Sequence, residues 1–159
     1  MRSNPARLTL LHELAVLDTA PEAVYDQITN LLATSLDVPI AMVNLLDESR
    51  DWFKSSMGYP ASESAAETSF CEIFFDKPDD LIVVEDTRAD PRFLQHVFVM
   101  GAPFIRFYAA ARLVVYGETV GTVCVYDTKP HVLTPAQLND LRTMASAAVE
   151  LLSRRLAVN

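Results

Sequence analysis

The sequence has no apolar run approaching the roughly 20 residues that a bilayer-crossing helix needs. Its start, MRSNPARLTLLHELAVLDTAPE, acquires charges too early to hold a signal peptide's apolar core. Both absences point to a cytoplasmic protein. Basic charge is also scarce. Thirteen Lys and Arg face 21 Asp and Glu, for a net charge of −8. Such a surface repels nucleic acid and anionic lipid, which are held mainly through Lys and Arg. There are two cysteines, at positions 71 and 124, and they form no CxxC pair. A reducing compartment keeps both as thiols. The three histidines, His12, His96 and His131, are scattered, so no zinc-ligand cluster is visible. No internal repeat or low-complexity linker interrupts the 159 residues, which is the length of one domain.

What is present reads as alternating helix and strand signals. Asn4-Pro5 opens a first helix, with Leu8, Leu11, Leu14 and Ala15 on its inner face. Thr19 and Glu22 have the spacing of a capping box ahead of a second helix, which carries Val24, Ile28, Leu31 and Leu32 to about Leu36. The runs PIAMVNLLD (39–47) and WFKSSM (52–57) predict a hairpin. ETSFCEIFF (67–75) predicts a short helix or turn capped by Thr68 or Ser69, and LIVVED (81–86) a strand. Asp90-Pro91 predicts a helix start, and Gly101-Ala102-Pro103 its stop. FIRFYAAARLVV (104–115) and TVGTVCVYD (119–127) predict a second hairpin. Thr134 and Gln137 cap a last helix over 135–157, with Leu138, Leu141, Ala145, Ala148 and Leu152 at a/d spacing and Met144 and Leu151 widening the stripe. Two hairpins and a lone strand imply an α+β fold, a mostly antiparallel sheet with the terminal helices on one face. The loop-rich middle, 58–103, then covers the other face, and a cavity between the two is the natural ligand site.

Six segments carry a family resemblance: LAVLDTAPEAVYDQIT, VPIAMVNLLDESRDWFKSSMG, ETSFC, LIVVEDTRADPRF, GAPFIRFYAAARL and GTVCVYDTKPHVLTPAQLNDL. Together, over about Leu14 to Leu152, they resemble a GAF domain of the bacterial type found with histidine kinases and diguanylate cyclases. The resemblance implies a GAF/PAS-like sheet of five or six antiparallel strands with a small-molecule pocket. It also implies sensing rather than catalysis, a homodimer through the terminal helices, and a downstream output domain. Two departures stand out. Ala65-Ala66 precede Glu67 where the family often has Arg, which weakens anion binding there. FYAAARL replaces FYAGAPL, which places the Arg112 charge in mid-strand.

Cys71 has several readings. As a nucleophile it lacks a neighbouring base, and as a metal ligand it lacks partners. The bilin anchor of related domains takes Cys-His, whereas Glu72 follows here, so no metal, haem or bilin is expected. A small buried side chain lining the pocket is the leading reading, and a redox-active thiol the alternative. Free methionine-sulfoxide reductases, an enzymatic branch of the family, carry a cysteine in the segment corresponding to 86–103, and there is none here. The other pocket candidates are Trp52, Phe53, Phe70, Phe107, Tyr108 and Cys124. Arg106, Asp86 and Asp127 complete the set, with Asp86, Asp90 or Asp127 as the arginine's carboxylate partner or an anionic ligand in their place. Alternation puts either Phe107 or Tyr108 on the pocket side, without saying which.

Overall fold

The chain enters its first helix as the sequence requires. In a computed structural model, which describes residues 1–157, the Asn4 side chain accepts from the Arg7 N–H at 3.1 Å and starts α1 (Pro5–Glu13). The domain limit at 159 lies outside the described residues. Helix α2 (Ala23–Leu36) begins after Glu22, but the expected box does not form. The buried Lys54 ammonium takes both of its members, bonding Thr19 Oγ1 at 2.8 Å and Glu22 at 2.7 Å. A buried ammonium needs those oxygens more than two helix-end amides do.

Strands β1 (Ile40–Leu46) and β2 (Arg50–Met57) form the first hairpin, and a short β3 (Glu63–Ala65) pairs with β2. Strand β4 (Leu81–Val84) is followed by turns and a four-residue helix, α3 (Val97–Met100), in place of the helix predicted from Asp90. The Asp90 carboxylate there accepts from the backbone N–H and the guanidinium of Arg92, closing a local turn. Strands β5 (Phe107–Val115) and β6 (Glu118–Asp127) form the long second hairpin. Helix α4 (Pro135–Ala157) carries the capping box as predicted: the Thr134 N–H donates to Gln137 Oε1 at 2.9 Å and the Gln137 N–H to Thr134 Oγ1 at 3.2 Å.

The six strands make one antiparallel sheet in the order β3-β2-β1-β6-β5-β4. Helices α1, α2 and α4 cover one face, where Leu11, Leu32 and Leu141 pack on Val43, Ala109 and Val123. Leu141, Ala145, Ala148 and Leu152 of α4 face this core. A bulge between β1 and β2 makes one exception to the alternation. It leaves both Lys54 and Ser55 on the helix side, where Ser55 Oγ bonds Thr29 at 2.9 Å and Asp26 at 2.6 Å.

A candidate sensory site on the loop-covered face

Strand alternation decides which residues reach the other face. Met42, Leu46, Tyr108, Ala110 and Cys124 point there, and Phe70, Cys71, Phe74, Phe93, Val99 and Ile105 from the covering loops close over them. Asn44 and Thr122 pair across β1 and β6 on this same side. The two strands come close enough only because residue 121 is glycine. A Cβ there would lie 2.1 Å from the Asn44 carbonyl oxygen.

Polar atoms in the middle of this face form one connected network. Asp51 accepts from Asn44 Nδ2 at 3.0 Å and from Ser69 Oγ at 2.5 Å, and pairs with the buried Arg2 at 3.0 Å. Arg2 also donates to the Asp47 carbonyl at 2.8 Å and pairs with Glu72 at 3.0 Å. Its own carbonyl accepts from Arg7, and both guanidinium groups lie over the Phe75 ring, at 5.4 and 5.0 Å from its centroid. Burial and the neighbouring Arg2 charge lower the Arg7 pKa to about 10.

Cys71 is held in the same network. The Ser69 hydroxyl caps its N–H at 3.2 Å, as the sequence suggested. Its Sγ lies 3.0 Å from the Tyr108 hydroxyl, 3.2 Å from Thr122 Oγ1 and 3.8 Å from Asn44 Nδ2. Burial opposes ionisation of Cys71, but the neighbouring Cys124, Thr122 and Tyr108 side chains bring its pKa below the ordinary thiol value. Burial pushes Cys124, Tyr108 and Tyr126 well up. Among the described residues the side chains that bond the Cys71 sulfur are those of Asn44, Tyr108 and Thr122. Among the described residues no group of three or more His, Cys, Asp and Glu side chains is placed to hold a metal ion.

Beside the network lies a cavity of about 90 Å³ with Phe53, Tyr59, Phe70, Phe98 and Tyr126 in its walls and Asp51 and Ser69 as polar groups. That volume is below the range of drug-sized ligand pockets. Phe70 fills much of the space itself. It stacks on His96 at 4.1 Å and on Phe93 at 5.3 Å, and meets Tyr108 and Tyr126 at 5.2 and 5.5 Å.

The structure brings Phe53, Phe70, Cys71, Tyr108 and Cys124 together and separates the other candidates from them. Trp52 and Phe107 lie on the helix side of the sheet, one residue out of phase with the pocket. Arg106 precedes β5 rather than alternating within it, and bonds the Val99 carbonyl at 2.8 Å in place of a carboxylate. Its expected partners are engaged elsewhere. Asp86 pairs with Arg88 and Asp90 with Arg92, each carboxylate held below its ordinary pKa by that hydrogen-bonded arginine, and Asp127 bonds His131 at 2.5 Å. Arg112 does not face open solvent. It donates to the carbonyls of Phe74, Lys77 and Asp79, tying the cover to β5. Asn44, Asp51, Ser69, Thr122 and Tyr126 are site residues that sequence reasoning missed. Asn44 carried a signal, as the single polar residue in the run 39–46.

The sequence also matches known proteins. The sequence model of the GAF domain family covers residues 20–152. A cyclic di-GMP phosphodiesterase of Pseudomonas aeruginosa is 32% identical over 126 residues, which is 79% of this chain but 21% of that protein. The chain therefore spans about a fifth of the length of that relative. Among solved structures, the GAF domain of an Acinetobacter phosphoenolpyruvate-protein phosphotransferase superposes with a TM-score of 0.69 at 17% identity, covering 99% of this chain and 98% of that one. A domain of a putative two-component sensor histidine kinase from Sinorhizobium meliloti gives 0.60 at 20% identity, covering 88% and 96%. These two show the shared fold, an α+β antiparallel sheet. No helix among the described residues is long and apolar enough to cross a membrane. With the family's sequence pattern over most of its length and its six-stranded sheet, the chain belongs to the GAF domain family.

Proposed function

We propose that this domain is a non-catalytic sensor whose loop-covered face binds a small molecule and whose helices pass the change onward. The observation that carries the reading is the cavity between sheet and cover, on the side of the sheet opposite the helices. Its walls are aromatic and aliphatic, its polar groups are the Asp51 carboxylate and the hydroxyl side chains of Ser64, Thr68 and Ser69, and no arginine is among its lining residues. The ligand is accordingly small and neutral or cationic, with a hydrogen-bond donor, unlike a cyclic dinucleotide with its two phosphates. Binding displaces Phe70 and the 59–70 cover. The movement reaches the helices through β2, where Phe53 lines the cavity and the next residue, Lys54, pairs with Glu22. Glu22 also pairs with Arg155 of α4, at 3.4 Å. The partners on this reading are an output domain, such as a kinase, cyclase or phosphodiesterase, and a second copy. The copy packs on the α2/α4 face, where Val24 and Leu31 are exposed.

Mass spectrometry of small molecules released from the purified protein identifies the ligand. The compound is expected to raise the thermal midpoint of the wild type and not of Ile40→Trp, which fills the cavity. Equal stabilisation of both proteins would remove the cavity as the site.

A further inference from the structure

Cys71 and Cys124 come from distant parts of the chain, a 3-10 turn of the cover and a strand inside the sheet, yet they share one buried pocket. Cys71 Sγ lies 3.2 Å from Thr122 Oγ1, and Thr122 stands two residues before Cys124 on the same face of β6. Both thiols belong to one buried cluster, with Tyr108 and Ala110 of β5 beside them. The cavity reaches the side chains around this pair. Tyr126, two residues beyond Cys124 on the same face of β6, lines it. So do Met42, the cross-strand partner of Cys124, and Phe70, the chain neighbour of Cys71. Both cysteines are 0% exposed and neither lines this cavity of about 90 Å³, so a small reagent is favoured over a bulky one. The Tyr108 and Thr122 hydroxyls lie 3.0 and 3.2 Å from the Cys71 sulfur, and a hydroxyl that donates to it favours the thiolate.

We propose that Cys71 and Cys124 are a redox pair that hydrogen peroxide converts to an intramolecular disulfide. The Cys71 sulfur gives an electron pair to one peroxide oxygen, the O–O bond breaks, and a sulfenic acid and the first water form. The Cys124 sulfur then attacks the sulfenic sulfur, the S–O bond breaks, and the second water leaves as the S–S bond closes. The two thiols lose two hydrogens and two electrons, and the peroxide is reduced to two waters. Full burial of both sulfurs selects peroxide over bulky oxidants such as glutathione disulfide. The disulfide fastens the 70–75 turn of the cover to β6, so oxidation acts on the segment that any bound ligand must displace. The chemistry does not depend on that ligand, and a thiol assay reads it with the cavity empty.

The test uses the reduced wild-type protein in its folded state, treated with hydrogen peroxide or with glutathione disulfide. Thiols are then alkylated after unfolding, and intact mass and a non-reducing peptide map are recorded. Peroxide is expected to remove both free thiols together, lower the mass by two hydrogens and link the peptides of residues 71 and 124, reversibly with dithiothreitol. Glutathione disulfide is expected to react at least tenfold more slowly. In Cys124→Ser treated with peroxide and then unfolded in the presence of dimedone, a sulfenic acid is expected to be trapped on Cys71. Folded protein that keeps both thiols while the urea-unfolded chain oxidises would overturn the pair. So would oxidation of Cys71 with no link to Cys124. Equal rates with the two oxidants would overturn the selection by size. The wild-type measurements stand even if a cysteine variant fails to fold.

Discussion

The two faces of the sheet are built from the same strands but by different chemistry. On the helix side Val43, Leu45, Ala109, Ala111 and Val123 meet Leu11, Leu32 and Leu141, and the large contacts are aliphatic. Polar groups on that side gather at its margin, where the β2 bulge places Lys54 and Ser55 against α2 and the turn before it. On the loop side a carboxylate, an amide, three hydroxyls and two thiols lie among aromatic rings. A dry aliphatic interface draws its stability from area and close packing. A buried polar network gains little net stability, because each hydrogen bond only replaces one to water. The comparison separates a face that holds the fold from a face where specific atoms are kept in place at some cost, which is where binding or reactivity belongs.

The largest expected effect breaks the helix side. Leu32→Ala removes a fully buried side chain between α2 and the sheet. It should cost about 2–5 kcal/mol in urea unfolding. The peroxide reactivity of the folded protein should stay unchanged. A loss of both together would mean that the two faces are not independent.

On the loop side, Tyr108→Phe removes one hydroxyl from Cys71 and leaves the ring packing in place. A cost of about 1–1.5 kcal/mol is expected in the same unfolding assay, the net worth of one hydrogen bond. With a donor to the thiolate gone, peroxide oxidation of Cys71 should also slow. Destabilisation as large as that of Leu32→Ala would show that the network contributes to stability as much as the aliphatic face does.

The smallest effect is expected at the margin, with Arg106→Met. The guanidinium there bonds carbonyl oxygens and is partly exposed. Its loss should cost about 0.5 kcal/mol, in the range of ordinary surface changes. An ion pair broken in the interior would instead cost about 3–5 kcal/mol. Differential scanning calorimetry at neutral pH separates the two outcomes.

Legibility in the sequence follows the same division. The stripe Leu141, Ala145, Ala148, Leu152 and the box Thr134–Gln137 are local patterns, and α4 follows them residue by residue. The hairpin runs and the α+β arrangement were readable for the same reason, since apolar alternation and turn residues act over a few positions. The Thr19–Glu22 box has the right spacing too, yet it yields to Lys54, a competitor from another strand that no local pattern announces.

By itself, the sequence determined the long helices and the two hairpins, the sheet with helices on one side, and the membership of Cys71 and Phe70 in a buried site, because hydrophobic periodicity and capping are encoded among near neighbours. Strand β3 and the turns after β4 were outside its reach. Only the tertiary structure decided the phase of β5, which sends Tyr108 to the pocket and Phe107 to the helices. It alone brought Arg2 onto Asp51, turned Arg106 toward carbonyl oxygens, and set Cys124 against a thiol 53 positions away along the chain (71 to 124). Those contacts depend on strand register and on how the cover folds back over the sheet. Both are settled by the competition of distant groups for the same buried space.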